Sequence, residues 1–350
     1  MNALEKIIRE IISKQGAVSL AAYMELALQH TEYGYYRVRE PIGRTGDFIT
    51  APEVSQMFGE MIGVWCAETW RSMEKPNPFA LVELGPGRGT MMQDILRATA
   101  NVGGFLDAKK LCLLDSDKAL RSQQREMVGD CAPRYVDDIT QLPSIPAIIV
   151  ANEFFDALPV RQFEKTFQGW AENMVTVTDG ALALTKRMMV EAEINLIPAD
   201  KREADPGIVV ETSPKAQNIM RDLVRHLATQ RGAMLMIDYG YVASSGTATV
   251  QAVSNHDYAS IFERPGEVDL TAHVDFTALA QLAQEMGANV SPLIGQGEFL
   301  KNLGIKIRAD GLKKQATLPQ AAEIDAALHR LVDLDQMGQL FKVMEIRANS

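Results

Sequence analysis

The apolar positions change their period along the chain, and each change predicts a different kind of element. Over residues 4–12 they recur at spacings of three, four, seven and eight, the period of an amphipathic helix. Two more helical patterns cover residues 20–29 and 54–73. Between them, over residues 32–52, glycines and prolines interrupt any regular element. We therefore expect residues 1–78 to form an N-terminal helical cap that carries a loop.

From residue 79 the pattern alternates between short apolar runs and helical stretches, which is typical of a parallel sheet covered by helices on both faces. Residues 160–186 alternate in the period of a strand around two turn sequences, which predicts an inserted antiparallel meander. We expect one α/β core, residues 79–350, interrupted by a β-rich insert at 160–212 and a loop at 241–274. The predicted core strands are 80–84, 111–114, 134–136, 147–151, 234–238, 290–294 and an alternating last strand at 341–347.

Composition narrows the class of protein. The 350 residues include 35 Lys and Arg against 45 Asp and Glu, and the resulting net charge of −10 disfavours a nucleic-acid binder. No apolar run reaches the ~18 residues of a membrane span, and the first residues lack a signal or transit pattern. The three cysteines are widely separated and odd in number, which fits buried thiols in a reducing compartment. We expect a cytoplasmic protein without a metal centre or a membrane partner.

A glycine-rich turn, Gly85-Pro86-Gly87-Arg88-Gly89, separates the first core strand from a helix and is preceded by Glu83. Glycines at such a turn let the backbone approach a ligand closely. A dinucleotide fingerprint would need a glycine at position 90, which is Thr. The Glu83 carboxylate would repel a pyrophosphate but attract the ammonium and sulfonium of S-adenosylmethionine. Glu83, Gly85, Pro86 and Gly87 are therefore predicted to hold that cofactor; the alternatives are an NAD-dependent oxidoreductase and a plain tight turn.

Acids also end the next two predicted strands, where ligands of open α/β sheets bind. Asp115 follows the second strand and is predicted to bind ribose hydroxyls. Asp137 or Asp138 follows the third strand and could reach the adenine amino group, and Asp138 is our choice. Taken singly, each acid could instead be a solvated loop charge or a helix cap. Three acids at three strand ends favour nucleoside recognition.

The fourth strand ends in Asn152, Glu153 and two phenylalanines, followed by Asp156. A polar residue before two aromatics is similar to the Asn-Pro-Pro-Tyr loop of amino methyltransferases. Asn152, Glu153 and Asp156 are predicted to grip a polar acceptor, and a pair of carboxylates suits a guanidinium. His273 is a candidate base because Asp275, two residues on, could orient its ring. Asp275 could also cap the following helix, and the aromatic pair could be core.

Several blocks together resemble the MidA family of S-adenosylmethionine-dependent methyltransferases, which is related to mitochondrial complex I assembly proteins. The blocks are Gly34-Tyr35-Tyr36, residues 46–53 and 58–60, residues 82–90, Asn152 to Val160, residues 237–241, and Pro265 to Phe276. The resemblance implies a class I methyltransferase fold, a Rossmann-like seven-stranded sheet whose last strand is antiparallel. It also implies a protein arginine as acceptor, on a respiratory complex I-type subunit. Asp115 stands where relatives often have Glu, and their double-Glu loop is not recognisable here.

The loop of residues 43–53 is predicted to be a lid, in which Asp47, Thr50 and Glu53 close over the methionine end of the cofactor. His256 is a further candidate for acceptor contact. The function we predict is S-adenosylmethionine-dependent methylation of a protein arginine. A small-molecule N- or O-methyltransferase and a non-catalytic, cofactor-binding assembly factor remain as alternatives, and a homodimer is left open.

Overall fold

The computed structural model describes residues 1–38, 50–115, 120–254 and 257–349. Its helices are α1 (Ala3–Gln15), α2 (Leu20–Gln29), α3 (Tyr35–Val38), α4 (Ala51–Val54), α5 (Gln56–Ser72), α6 (Thr90–Thr99), α7 (Phe105–Ala108), α8 (Arg121–Val128), α9 (Pro214–Gln230), α10 (Phe276–Glu285), α11 (Gln296–Asn302), α12 (Ile305–Lys313), α13 (Leu318–Val332) and α14 (Met337–Leu340). Its strands are β1 (Val18–Ser19), β2 (Phe79–Leu84), β3 (Lys109–Leu114), β4 (Arg134–Val136), β5 (Ala147–Asn152), β6 (Arg161–Thr166), β7 (Gly169–Thr178), β8 (Ala181–Met188), β9 (Val209–Thr212), β10 (Gly232–Tyr241), β11 (Gln251–Ser254), β12 (Asp257–Ala259), β13 (Asp269–Thr271), β14 (Val274–Asp275), β15 (Asn289–Val290), β16 (Ile294–Gly295) and β17 (Phe341–Arg347).

The central sheet has the strand order β15-β17-β10-β5-β2-β3-β4. The strands β4, β3, β2, β5 and β10 run parallel, whereas β17 pairs antiparallel with β10 over seven residue pairs. Parallel neighbours place their carboxyl ends at one edge of the sheet, which brings the turns after β2, β3, β4 and β5 together. With β14 beside β10 and β16 beside β17, the sheet has nine strands, of which these seven form the main path. The predicted α/β sheet with an antiparallel last strand is confirmed, but the strand predicted at 290–294 is replaced by the two short strands β15 and β16.

Both faces of this sheet are covered, which explains why its strands are continuous apolar runs. All six residues of β2 are buried. Leu81 packs in a cluster with side chains of α5 and α6, whereas the next residue, Val82, packs with side chains of α9 and α10. Because successive side chains of a strand point to opposite faces, a strand covered on both sides needs apolar residues at every position.

The N-terminal helices pack against the inserted meander, which forms a separate antiparallel sheet. β6, β7 and β8 follow one another in that sheet, and β9 pairs with β6. Asp179 and Gly180 form a two-residue turn at φ 51° and 79°, conformations that a tight hairpin requires. The short strand β1 pairs with β7, and Leu4, Leu28 and Val175 share one apolar cluster. The meander predicted from the alternation is confirmed.

Residues 241–274, predicted as a loop, contain the small sheet β12-β11-β13. Its strands have only three or four residues, too few for a period to be recognised in the sequence. The helix predicted over residues 54–73 is interrupted at Ser55, whose extended backbone separates α4 from α5 and whose hydroxyl accepts from the Met57 N–H at 3.2 Å. Among the described helices, none is long and apolar enough to cross a membrane.

Candidate active site

A cavity of about 640 Å³ opens at the carboxyl ends of the parallel strands. Its walls come from the turn after β2, from the ends of β3, β4, β5 and β10, and from α9 and β13. Lys215 is the only Lys or Arg in its wall among the described residues. The wall contains seven acids, which are Asp115, Asp137, Asp138, Glu153, Asp156, Asp222 and Asp269. An excess of acids over bases favours a cationic ligand in this cavity.

The glycine-rich turn forms the floor of the cavity. Gly85 and Gly87 line it with backbone at φ 64° and 51°, a region that side-chain-bearing residues rarely adopt. A Cβ atom built on Gly85 would lie 3.0 Å from Cδ2 of Phe154, which also lines the cavity. Pro86 is buried and contributes through its carbonyl, which accepts from the Gly89 N–H at 2.8 Å. The turn therefore offers bare backbone to a ligand.

Glu83 lies behind this turn and does not line the cavity. Its side chain is 2% exposed, and among the described residues its Oε2 atom has no hydrogen-bond partner. Burial raises the pKa of the Glu83 carboxyl well above its usual range, and the nearby Asp115 carboxylate raises it further. The structure thus places an unsatisfied buried acid under the glycine turn, where its influence on a bound cation would be electrostatic.

Asp115 is connected to the glycine turn through a residue that the sequence did not reveal. The Nε2 atom of Gln124, a fully buried residue of α8, donates to the Asp115 carboxylate and to the Gly87 carbonyl, at 2.8 Å each. This amide fixes the turn after β2 relative to the end of β3. No sequence signal identifies Gln124, because an isolated glutamine in a helix has many ordinary roles.

The two acids after β4 both line the cavity, but each also has a local partner. The Asp138 carboxylate accepts from the backbone N–H and the hydroxyl of Thr140 at 2.8 and 2.6 Å, and these bonds lower its pKa. The Asp137 carboxylate accepts from Arg121 at 2.8 Å. The helix-cap alternative therefore applies to Asp138 in this structure, and adenine recognition by Asp138 stays a prediction.

Glu153 and Asn152 end β5 in a strained turn. Glu153 has φ 50°, unusual for a residue with a side chain, and its N–H donates to the Ile237 carbonyl at 3.0 Å. Its Oε1 atom accepts from Asn152 Nδ2 at 3.0 Å and from the Ala51 N–H at 3.2 Å. Desolvation, with the Asp156 carboxylate, raises the pKa of Glu153 to about 7. Glu153 lines the cavity, whereas Asn152 is buried behind it.

Asp156 also lines the cavity, although it is only 6% exposed. Its Oδ1 atom has no hydrogen-bond partner among the described residues, and burial raises its pKa to about 6. The loop is held by Asp238, a fully buried acid that accepts from the N–H groups of Phe155 and Tyr239 at 2.9 Å each. Burial, with the carboxylates of Asp156 and Glu153, raises the pKa of Asp238 well above its usual range.

Phe154 and Phe155 differ in position: one lines the cavity, and the other packs in the core. Phe154 lines the cavity beside Gly85, as a wall that excludes water would. Phe155 is 3% exposed and packs with the core below, its ring edge-to-face with Phe154 at 5.3 Å between centroids.

The lid residues are only partly within the described chain. Thr50 lines the cavity, and the Glu53 carboxylate accepts from the Thr90 hydroxyl at 2.6 Å without lining it. This bond joins α4 to the start of α6, next to the glycine turn. Asp47 and His256 lie outside the described residues.

His273 does not line the cavity, which corrects the expectation that it faces the acceptor. Its backbone N–H donates to the Thr249 hydroxyl at 3.0 Å, and its ring packs edge-to-face on Tyr239 at 5.5 Å. The Asp275 carboxylate caps α10 by accepting from the Ala278 N–H at 2.9 Å. The carboxylate is thus used as a helix cap, the alternative that the sequence left open.

These residues fit S-adenosylmethionine on three observations. The glycine turn forms a cradle that a Cβ at Gly85 would close against Phe154. The wall is dominated by acids, which suits a ligand with an ammonium and a sulfonium. Glu83 presents a buried carboxylate oxygen, Oε2, without a partner among the described residues.

Comparison with known proteins leads to the same ligand. Residues 61–294 match a family model described as "Putative S-adenosyl-L-methionine-dependent methyltransferase". A crystal structure from Burkholderia thailandensis, described as a "likely methyl transferase" bound to S-adenosyl-homocysteine, is 29% identical with a TM-score of 0.85. The match covers 99% of this chain and 92% of that one.

Curated relatives are similar over nearly the whole chain. "Protein arginine methyltransferase NDUFAF7, mitochondrial" of Xenopus tropicalis is 32% identical over 96% of this chain and 83% of its own length. The protein of the same name from Homo sapiens is 32% identical over 94% of this chain and 80% of its own length.

These names contradict the cytoplasmic location expected from the sequence, because both relatives are named as mitochondrial. The expectation rested partly on cysteine usage. The three cysteines are free thiols, as a reducing environment requires, but free thiols do not identify which compartment provides that environment.

Proposed function

This chain belongs to the S-adenosyl-L-methionine-dependent methyltransferases, and we propose that it transfers the methyl group to an arginine side chain of a protein. The observation that carries the proposal is the pair Glu153 and Asp156. Both line the cavity beside the glycine turn, and neither forms a salt bridge within the described chain. Two desolvated carboxyls that line one cavity suit a guanidinium, which stays protonated at any physiological pH.

When bound, S-adenosyl-L-methionine supplies a methyl group on a sulfonium that a nitrogen can attack. We propose that the backbone of Gly85, Pro86 and Gly87 forms the floor under it, and that Asp115 binds the ribose and Asp138 the adenine. Glu83 is proposed to contribute a negative potential from beneath the turn only when it is ionised, which a nearby bound cation would favour, and Thr50 and Glu53 are proposed to belong to the lid. Phe154 excludes water from the cavity, which strengthens electrostatic interactions inside it.

On the acceptor side, Glu153 and Asp156 are proposed to hold the guanidinium by charge-assisted hydrogen bonds and to orient one nitrogen for attack. The methylated nitrogen loses a proton, and one of these carboxylates accepts it. Asn152 is a positioning residue, because its amide donates to Glu153. His273 is proposed to act only through Tyr239, against which its ring packs.

The protein acceptor is supported by the relatives, which are named protein arginine methyltransferases. A respiratory complex I-type subunit, implied by the family resemblance, is our proposal for the identity of that protein. The absence of nucleic-acid and membrane partners and the homodimer remain predictions.

The test is methyl transfer from S-adenosyl-L-methionine with a tritiated methyl group to a lysate of a strain that lacks this protein. We expect label in a protein band, and mass spectrometry of that band should place the methyl group on arginine. Label confined to lipids or small molecules would instead support the small-molecule alternative. Cofactor binding in calorimetry with S-adenosylhomocysteine, without transfer to any component, would support the non-catalytic assembly factor.

A further inference from the structure

Part of the cavity wall is formed by residues for which the sequence suggested no role. We call these residues, together with Asp156, the acceptor wall: Tyr36, Asp156, Tyr239, Asp269 and Thr271. They come from α3, from the loop after β5, from β10 and from β13. We propose that the acceptor wall is a guanidinium-binding subsite, and that Asp269 makes it select arginine over lysine. The inference rests on the proposed function and adds the residues that choose the acceptor.

The first step is that the wall contains buried polar atoms without protein partners. Oδ1 of Asp156 and the hydroxyl of Tyr239 make no hydrogen bond of good geometry among the described residues, although these residues are only 6% and 7% exposed. The two groups lie close enough together that the Tyr239 hydroxyl lowers the pKa of Asp156. A buried polar group without a hydrogen bond is costly, and such groups in native structures are expected to meet a ligand or water. Both side chains line the cavity, so a ligand there can satisfy them.

The second step is that Asp269 and Asp156 both lie near the hydroxyl of Tyr36. Asp269 is 6% exposed and lines the cavity, and Tyr36 donates a long hydrogen bond of 3.4 Å to its Oδ1 atom. Burial raises the pKa of the Tyr36 hydroxyl, and the carboxylates of Asp269 and Asp156 raise it further. The Tyr36 hydroxyl thus lies near two carboxylates from different elements, so Asp269 and Asp156 line the same part of the cavity.

Two carboxylates on separate elements discriminate between cations by shape. A guanidinium is planar and presents five N–H donors in a rigid fork, so it can reach two acids at once. An ammonium is a compact point charge, which a single carboxylate can satisfy. Aromatic rings such as those of Tyr36 and Tyr239 also favour the flat cation, because a guanidinium stacks on aromatic faces.

The third step is that the acceptor wall is held rigidly. The amide of Asn2, which caps α1, donates to the Pro265 carbonyl at 2.9 Å. The Ala272 N–H donates to the Asp156 carbonyl at 3.0 Å, joining the segment after β13 to the loop after β5. Tyr35 and Leu270, the neighbours of Tyr36 and Asp269, are fully buried in one apolar cluster. A subsite whose parts are fixed in advance loses little entropy on binding.

The test uses the full chain saturated with S-adenosylhomocysteine and two probes, N-acetyl-L-arginine amide and N-acetyl-L-lysine amide, in titration calorimetry. We expect the wild-type protein to prefer the arginine probe, and Asp269→Asn to weaken that probe about tenfold or more, since a charge-assisted hydrogen bond is lost. Binding of the lysine probe and of S-adenosylhomocysteine should change less than about twofold, because neither depends on the second carboxylate. Asp179→Asn, in the exposed hairpin turn of the insert, is the matched control.

The inference is overturned if wild type and Asp269→Asn prefer the arginine probe over the lysine probe to the same extent while both retain their affinity for S-adenosylhomocysteine. Labelling of lysate protein provides a second measurement: a raised KM at unchanged kcat in Asp269→Asn supports it, and unchanged kinetics overturn it. If Asp269→Asn does not fold, Tyr36→Phe takes its place, and the same two readouts decide. The two failures give different results. If only the subsite is wrong, the wild-type protein still methylates arginine and Asp269→Asn behaves like it. If the proposed function is wrong, the wild-type protein labels no arginine at all, and the subsite is rejected with it.

Discussion

The two ends of the cavity are both acidic, but they are built differently. At the nucleoside end, Asp115, Asp137 and Asp138 each have a nearby side-chain partner, in Gln124, Arg121 and Thr140. At the acceptor end, Glu153 and Asp156 are desolvated, form no salt bridge within the described chain, and have pKa values raised to about 7 and 6. The comparison shows that acidic side chains at the two ends of the cavity are in different environments. All three acids of the first end have side-chain donors, whereas at the second end Glu153 accepts from Asn152 but Oδ1 of Asp156 has no hydrogen-bond partner among the described residues.

The two ends also differ in how far apart their residues lie in the sequence. The proposed nucleoside end is formed mainly by residues 85–139, where each strand leads into a turn and then a helix. The acceptor end combines residues between 36 and 271, which only the tertiary fold brings together. Changes in the turn after β2 should therefore affect cofactor binding alone, and changes in the acceptor wall should affect methyl transfer.

The largest effect is expected from Gly85→Val at the floor of the cavity. A Cβ at Gly85 would lie 3.0 Å from Phe154 and would require φ near 64°, so both the backbone and the cradle must change. We expect the affinity for S-adenosylhomocysteine in calorimetry to fall about 100-fold or more, which corresponds to roughly 3 kcal/mol. The control is Gly103→Val, because a Cβ on Gly103 meets nothing within 4 Å. Unchanged binding in Gly85→Val would contradict the assignment of this turn to the cofactor.

A paired substitution tests whether the two ends have separate roles. Asp156→Asn removes the acceptor-side charge at nearly constant size, and we expect methyl transfer to lysate protein to fall about 100-fold, the low end for a lost acid–base or orienting group. Its affinity for S-adenosylhomocysteine should change less than about threefold, because the nucleoside end keeps its own hydrogen bonds. Asp115→Asn should instead affect cofactor binding more than the transfer step. We expect its affinity for S-adenosylhomocysteine to fall about tenfold, because a charged hydrogen bond is lost.

If both variants lose cofactor affinity to the same extent, the division into two ends is wrong. Rates at saturating cofactor separate the cases, since a binding defect is overcome there and a defect in the transfer step is not.

Most residues that the sequence assigned to the first end line the cavity, because the pattern that identifies them is local, while their role in cofactor binding stays a prediction. An apolar strand, a glycine-rich turn and an acid at the next strand end are neighbours in the chain, so their meeting at one edge of the sheet follows from the parallel fold. The same reasoning found Glu153 and Asp156, which directly follow β5. It could not find Gln124, whose role depends on the position of α8 against the turn.

The residues of the proposed acceptor wall could not be brought together from the sequence, for two physical reasons. Tyr36 and Asp269 are 233 positions apart and meet only because the N-terminal helices pack on the small sheet of residues 251–271. That sheet has strands too short to leave a period in the sequence. His273 was favoured by its spacing to Asp275, but a helix cap uses the same carboxylate, and spacing alone does not decide between the two.

The pH dependence of methyl transfer should report the acceptor end. The pKa of Glu153 is raised from 4.5 to about 7, so a proportion of the protein is protonated there at neutral pH. Only the carboxylates can hold a guanidinium or accept its proton, and the pKa of Asp156 is raised to about 6. We therefore expect the rate at saturating cofactor to rise by up to about 100-fold per unit below pH 6 and about tenfold per unit between pH 6 and 7, and to level off above pH 7. Glu153→Gln should lower the rate and remove the upper part of this rise. A flat profile in the wild-type protein would exclude both carboxyls from the transfer step.

The raised pKa of Glu153 also affects stability, and its contribution to stability falls with rising pH whereas the rate of methyl transfer rises. The native Glu153 binds its proton more tightly than the unfolded chain does. Its contribution to the free energy of unfolding is therefore complete below pH 4.5 and is lost as the pH rises to about 7. Denaturant unfolding of Glu153→Gln should show a weaker decline over this window than the wild type.

The smallest effect is expected at Gln124, which tests whether the nucleoside end is satisfied within the protein. Gln124→Leu removes both bonds of the buried amide and leaves the Gly87 carbonyl and Asp115 without that donor. We expect the free energy of unfolding to fall by about 1–3 kcal/mol and S-adenosylhomocysteine to bind about threefold more weakly. Urea unfolding with and without S-adenosylhomocysteine measures both, with Ser122→Ala on the exposed side of α8 as the control. The KM for the protein acceptor should not move, because the acceptor end shares no bond with Gln124; a raised KM would show that the two ends are coupled through the glycine turn.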